Sequence, residues 1–294
     1  VTSGPDWARE GRDWPNRAAS RFVTAAGLRW HVQVMGRGPV ALLVHGTGAA
    51  THSWRALAPI LAEHFCVVAP DLPGHGFTEL PPAHRLSLPA MARALSGLLA
   101  ALELRPALAV GHSAGAAILL RMCLDGLIAP DCVVSLNGAL LPLGGVAGPF
   151  FSPIAKLLVL NPFVPRLLAW RAADRAVVRR LITDTGSVLE PADLERYGRL
   201  FSTPGHVAGA LGMMANWDLP PLARDLPRLR TKLVLVAGGN DRAIPPADAA
   251  RVAAMVPGAE VRTLPGLGHL AHEEDSTGVA AIVLGALSSV PSAP

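Results

Sequence analysis

Hydrophobic positions along this chain fall into two alternating patterns. Short, nearly unbroken apolar runs recur at Pro39–Val44, Phe65–Ala69, Pro106–Val110, Asp131–Leu136 and Thr231–Ala237, and Glu260–Leu264 reads as a last strand. Runs rich in Val, Leu and Ala and bounded by Gly, Pro or Asp predict strands buried on both faces of a sheet. Between them, apolar residues recur three and four apart over Trp54–His64, Leu88–Leu102, Ala114–Leu124, Pro246–Met255 and His272–Leu287, which predicts helices. Ser87 is placed to N-cap the second of these. Upstream, Arg21–Ala25 and Leu28–Val34 alternate around Ala26-Gly27 and predict a β-hairpin. Strand–helix alternation predicts the α/β class, with a mostly parallel sheet covered by helices on both faces. The alternation stops over 142–217, where helical segments are punctuated only by Pro and Gly. This divides the chain into an N-terminal arm (1–20), an α/β core (21–141 and 218–294) and a helical cap (142–217) inserted between two strands. Trp7 and Trp14 of the arm are expected to fold back onto the body, away from water.

Composition narrows the function classes. With 294 residues, 51% of them hydrophobic, and mean hydropathy +0.37, the chain can bury a large core. No run reaches the roughly 20 uncharged apolar residues of a membrane span. The most apolar stretch, Ile154–Trp170, is interrupted by Lys156, Asn161, Pro162, Pro165 and Arg166. Val1–Arg21 has no apolar signal core, so a cytoplasmic location is expected. Cys66, Cys123 and Cys132 sit in apolar runs with no framework spacing, which reads as reduced, buried thiols. The net charge of +4 is carried by arginine, since Lys156 and Lys232 are the two lysines. That balance permits acidic substrates or an anionic membrane surface without demanding either. One tyrosine and scattered arginines offer nucleic acid no stacking platform, so no nucleic-acid partner is expected.

The chemistry centres on Gly111-His112-Ser113-Ala114-Gly115, which follows a predicted strand and opens a predicted helix. In that context a G-x-S-x-G run is a nucleophile elbow: strained backbone lifts the Ser113 hydroxyl above the sheet edge, and small neighbours make room. A serine hydroxyl needs a base, and the base needs an orienting acid. In this type of fold the order is Ser, acid, His, which selects Asp241 after one strand and His269 after the last. Asn137 occupies the other strand end open to an acid and has no charge. His272 is the rival base, but it sits inside the predicted closing helix, where Glu273, Glu274 and Asp275 read as an N-terminal turn. The oxyanion hole is assigned to the backbone N–H groups of Ala114 and Thr47, the latter in His45-Gly46-Thr47-Gly48. Asp71 reads as a structural turn residue.

A small-molecule pocket is expected among His45, Gly46, Gly48, His112, Asn137, Trp170, Met213 and Trp217. Phe150, Phe151, Phe163 and Met214 add apolar bulk to the cap. Arg171, Arg175, Arg179 and Arg180 form a stripe that reads as a solvated face, with a grip on substrate carboxylates or acidic lipid headgroups as the sharper alternative. His269-Leu270-Ala271-His272-Glu273 lacks the His-Glu-x-x-His spacing, and there is no phosphate loop or dinucleotide fingerprint, so neither a metal nor a cofactor is expected.

His45-Gly46, Gly111-His112-Ser113-Ala114-Gly115, Asn240-Asp241-Arg242 and Gly268-His269 together resemble the α/β-hydrolase superfamily over nearly the whole chain beyond residue 20. A closer resemblance, to the BchO-type magnesium-chelatase accessory proteins of bacteriochlorophyll biosynthesis, rests on Arg12-Asp13-Trp14-Pro15-Asn16-Arg17, His45–Trp54 and Met213–Leu219. It implies a role around magnesium insertion, with a tetrapyrrole substrate, a contact with magnesium chelatase and a place at the periphery of the photosynthetic membrane. The intact Ser/Asp/His set implies hydrolysis through an acyl-enzyme. Related epoxide hydrolases and haloalkane dehalogenases carry Asp at the elbow, so Ser113 speaks against their chemistry. Two alternatives stay open: a non-catalytic porphyrin-binding accessory protein, and a general carboxylesterase.

Overall fold

The computed structural model describes residues 4–142, 161 and 163–288. Eight strands form one sheet: β1 (Ser20–Ala25), β2 (Leu28–Met35), β3 (Val40–Val44), β4 (Cys66–Pro70), β5 (Pro106–His112), β6 (Cys132–Leu136), β7 (Lys232–Gly238) and β8 (Glu260–Leu264). Their order is β1-β2-β4-β3-β5-β6-β7-β8. β1 pairs antiparallel with β2, and β2 with β4; all other pairings are parallel. The hairpin closes through Ala26 and Gly27, both at positive φ, as a two-residue turn between right-twisted strands requires.

The central strands have apolar residues on both faces because both faces are covered. Leu42 and Val44 of β3 join the core under α3 (Leu88–Ala101) and α4 (Ala114–Leu124), built with Leu95, Leu98 and Ile118. Ala41 and Leu43 point the other way, into a core with Leu57 and Leu61 of α2 (Leu57–Ala62) and Val279 and Val283 of α12 (Ser276–Ser288). From β3 the chain moves to β4 on one side and then returns to β5 on the other. The loops leaving β3 and β5 therefore diverge at a topological switch point, where a crevice opens at the carboxyl ends of the strands.

Between β6 and β7, the described residues form α5 (Phe163–Ala172), α6 (Arg175–Thr183), α7 (Pro191–Phe201) and α8 (Pro204–Ala215), with no strand among them. Residues 143–160, including Phe150 and Phe151, lie outside the described residues. After β7 come α10 (Ala247–Ala253), β8 and the one-turn α11 (Ala271–Glu274); α9 (Pro220–Asp225) precedes β7. The arm, with α1 (Trp7–Glu10), packs on the body as expected. Trp14 is buried and its Nε1–H donates to Thr51 Oγ1 at 2.9 Å, while Trp7 lies edge-on to Phe22 and Phe77. The arm also reaches the helical insertion through a two-pronged Arg199–Asp13 pair at 2.5 and 2.6 Å.

Three local expectations are corrected. Thr51–Trp54 is a separate 3-10 turn, and α2 starts only at Leu57. Ser87 stands at the N-cap of α3, but its hydroxyl turns back to the His84 carbonyl at 3.5 Å and caps nothing. The predicted closing helix is broken at Asp275 into α11 and α12.

Candidate active site

Ser113 sits at the tip of the β5–α4 turn with φ 50° and ψ −117°. Such a backbone costs an L-residue about 1–3 kcal/mol and persists only where its surroundings impose it. Here they do: the Ser113 N–H donates to the Leu136 carbonyl at 3.0 Å, and the Ser113 carbonyl accepts from Ala116 and Ala139. Gly115 is required because a Cβ would run into the Val44 and His45 carbonyls, where α4 crosses the end of β3. The turn leaves the Ala114 amide at the first position of α4, with no intrahelical acceptor.

Asp241 and His269, the expected acid and base, lie in the loops that follow β7 and β8. His269 Nδ1 lies 2.8 Å from Asp241 Oδ2. A carboxylate only accepts, so Nδ1 carries the proton and Nε2 is left as the basic nitrogen. Asp241 is held by three further donors: Asn137 Nδ2 on Oδ2 at 2.8 Å, and the Ala243 and Ile244 amides on Oδ1 at 2.8 and 2.9 Å. The His269 backbone is tied to the elbow as well. His112, the residue before Ser113, donates from Nε2 to the His269 carbonyl at 2.9 Å, and the two rings are 4.7 Å apart. No hydrogen bond joins the Ser113 hydroxyl to His269 in this structure.

The loop after β3 lies against the elbow: a Cβ at Gly46 would come within 2.8 Å of His112 Nδ1 and 3.0 Å of Ser113 Cβ. His45 is fully buried and bridges two elements, accepting from the Leu72 amide at Nε2 (2.9 Å) and donating from Nδ1 to the Gly46 carbonyl at 2.8 Å. Ala49 N–H donates to the same carbonyl at 3.2 Å. That carbonyl and the Thr47 N–H belong to one trans peptide and point in opposite directions. Pinning the carbonyl therefore aims the Thr47 amide away from His45.

The remaining expected pocket residues separate by burial. His45, His112 and Asn137 are buried, and their side chains hydrogen-bond to neighbouring loops; Asn137 also lines a small cavity beside Asp241. Burial pushes the His45 pKa below the ordinary histidine range and that of His112 well below it. Gly48, at positive φ, gives its carbonyl to His206 Nε2 of α8 at 3.0 Å. Met213 is buried, and its sulfur accepts from the Thr47 hydroxyl at 3.4 Å. Trp217 belongs to the core beside Leu219 and Leu222. Trp170 is 70% exposed on α5, far more than a side chain enclosing a ligand would be. A cavity of about 700 Å³ is lined by Arg29, Phe77, Leu80 and Gly205 among others, and by none of Ser113, Asp241 and His269.

Two features were not foreseen. Eight of the ten histidines are buried, several held by partners distant in sequence, such as His206 between the Gly76 amide and the Gly48 carbonyl. Glu273 is not a solvated N-terminal turn residue. Its side chain is fully buried, accepting from Ser53, Tyr197 and Arg55, and Arg55 also pairs with Asp193 of α7. Asp71 is structural, as read: its carboxylate accepts from the Thr51 and Phe77 amides and pairs with His31. Among the described residues, no group of three His, Cys, Asp or Glu side chains is arranged to hold a metal ion.

Comparison with known proteins identifies the family. A magnesium-chelatase 30 kDa subunit from Rhodobacter capsulatus is 40% identical over 274 residues, covering 92% of this chain and 95% of that protein. A 2-hydroxy-6-oxo-2,4-heptadienoate hydrolase from Pseudomonas putida is 26% identical, over 91% of this chain and 96% of its own. Among solved structures, an alpha/beta hydrolase fold protein from Burkholderia ambifaria superposes with a TM-score of 0.77 at 26% identity, covering 91% of this chain and 97% of that one. The sequence pattern of the alpha/beta hydrolase family matches residues 41–282, from β3 into α12 and spanning Ser113, Asp241 and His269, and the chain belongs to that family.

Proposed function

We propose that this protein is a serine hydrolase that cleaves an ester-like bond of a tetrapyrrole intermediate near the magnesium-insertion step of bacteriochlorophyll synthesis. The observation carrying the reaction class is the Asp241–His269 bond of 2.8 Å at the sheet edge that also bears the strained Ser113 elbow. Ser113 Oγ attacks the carbonyl carbon, and His269 Nε2 takes the hydroxyl proton. A Ser–His contact that is long in the resting site tightens as substrate binds. Asp241 stabilises the imidazolium, and the Thr47 and Ala114 amides receive the oxyanion. His269 then protonates the departing alcohol. It next deprotonates a water that attacks the acyl-enzyme, which releases the carboxylic acid and restores Ser113. The substrate class rests on the chelatase-subunit relative at 40% identity, and association with magnesium chelatase is part of the same proposal.

That relative's name also favours a second reading, a tetrapyrrole-binding accessory protein whose triad is idle. A pigment-forming strain lacking its own copy separates the two. Under the hydrolase reading, Ser113→Ala at normal abundance fails to restore pigment, and an esterified tetrapyrrole accumulates. Full restoration by Ser113→Ala would overturn it in favour of the accessory role. Hydrolysis of simple acyl esters without any effect on tetrapyrroles would instead leave a general carboxylesterase.

A further inference from the structure

Six large hydrophobic side chains stand exposed among the described residues, and all six lie between Phe163 and Val188. Four belong to α5, which is built opposite to an ordinary surface helix. Phe163, Leu167 and Trp170 recur at the spacing of one helix face, and they are 69%, 58% and 70% exposed, with Leu168 beside them at 42%. The face of α5 that packs inward offers only Pro165, Ala169 and Ala172. Elsewhere the usual rule holds: α3 buries Leu88, Met91, Leu95 and Leu98. A clustered apolar surface of this kind marks an interaction site.

The charges around the patch identify its partner. Arg166 and Arg171 on α5 and Arg175, Arg179 and Arg180 on α6 are all exposed. From Phe163 to Thr183 the one acid is Asp174, which is occupied in capping α6 through the Ala176 amide. Among the described residues, Arg175 and Arg180 alone of these five pair with acids, Glu195 and Asp184, in exposed pairs. Five arginines against one aspartate give this stretch the net charge of the entire chain, +4. A second copy docking face to face would set arginine against arginine. Exposed Phe, Leu and Trp flanked by arginine is the pattern of a helix lying in a membrane interface, its apolar face at the acyl boundary and its cations at the headgroups. No described helix is long and apolar enough to cross a membrane.

We propose that α5, with the adjoining arginines of α6, is a docking surface for an anionic lipid bilayer. Phe163, Leu167 and Trp170 enter the headgroup–acyl boundary, and the arginines pair with lipid phosphates. This assignment is independent of the hydrolase reading.

The test is flotation of the purified full chain with vesicles of phosphatidylglycerol and phosphatidylcholine, against vesicles of phosphatidylcholine alone. The protein floats with the anionic vesicles, and raised salt weakens its binding. Replacing all three apolar residues (Phe163→Ser, Leu167→Ser and Trp170→Ser) lowers the bound fraction at least about tenfold. Arg171→Gln and Arg179→Gln each lower anionic-vesicle affinity about fivefold. Because all five side chains are exposed, each variant keeps the parent's thermal unfolding midpoint, which verifies that it is folded. Absence of binding to anionic vesicles, or undiminished binding by the folded triple variant, would overturn the proposal. So would self-association in place of vesicle binding, lost in the triple variant, because the patch would then belong to a second copy.

Discussion

His45 is the most informative residue to remove, because it acts on the proposed oxyanion site only through the peptide that it holds. In His45→Ala, the Gly46 carbonyl loses its 2.8 Å donor and the Leu72 amide loses its 2.9 Å acceptor, both at a fully buried position. An orphaned buried amide costs about 1–3 kcal/mol, and the vacated ring volume adds to it, so the variant should be destabilised by about 3 kcal/mol. The kinetic effect is separate. With only the longer Ala49 amide bond (3.2 Å) left on the Gly46 carbonyl, the 46–47 peptide is less firmly fixed and the Thr47 amide turns from the developing oxyanion. Loss of one such donor costs roughly 3 kcal/mol of transition-state stabilisation, or about 10²-fold in kcat. The contact is made in the transition state, so KM should change little. The assay is steady-state hydrolysis of p-nitrophenyl acetate below the variant's unfolding temperature, with urea unfolding in parallel. Thr47→Ala is the control: it keeps the amide, loses only the hydroxyl bond to Met213 Sδ, and should stay within a few-fold of the parent. A folded His45→Ala protein with unchanged kcat would refute the assignment of Thr47 as a donor aimed by His45.

Other consequences follow from burial. Burial lowers the pKa of His206 to about 4 and of His272 to about 3, from an ordinary 6.5, so both are neutral in the folded protein. The unfolded chain then takes up more protons below pH 6.5, and stability falls as pH drops from 6.5 toward 4, for His206 by roughly 3 kcal/mol in all. Urea unfolding at pH 7.5 and 5.0 checks this, and equal stability at the two values would contradict it. Arg55→Ala leaves the buried Glu273 without a cation and removes one of the two arginines paired with Asp193, Arg196 remaining. A loss of about 3–5 kcal/mol is expected in chemical denaturation. Burial raises the thiols of Cys123 and Cys132 to about 11, so iodoacetamide at pH 8 should leave both unmodified in the native protein by peptide mass spectrometry.

The central strands were legible because each is a run of Val, Leu and Ala buried on both faces, and β6 and β7 differ from the reading by a residue at their ends. The edge strand β8, with Glu260, Arg262 and Thr263 and no buried residue, still spans Glu260–Leu264 as read. The positions of Ser113, Asp241 and His269 at strand ends followed from the same alternation, since each lies where a strand releases its loop. Burial of polar side chains was not legible, because the partners that permit it are remote. Glu273 lies in a run of three acids that looks solvated, and only folding brings Arg55 to it from the end of the Thr51–Trp54 turn. His206 likewise looks unremarkable in a Gly/Ala-rich helix until α8 meets the Gly46–Gly48 loop. Trp170 misled in the opposite sense. Its aromatic character suggested a pocket wall, yet the small residues Pro165 and Ala169 take the inward face of α5 and leave the indole outside.

The central claim is that Ser113 is a nucleophile activated by His269. Fluorophosphonate labelling of the native protein, read by peptide mass spectrometry, tests it most directly. The account predicts one adduct, on the Ser113 hydroxyl, formed at least about 10²-fold more slowly in a folded His269→Ala variant. A native protein that carries no adduct at Ser113, or that labels there equally fast without His269, would contradict it.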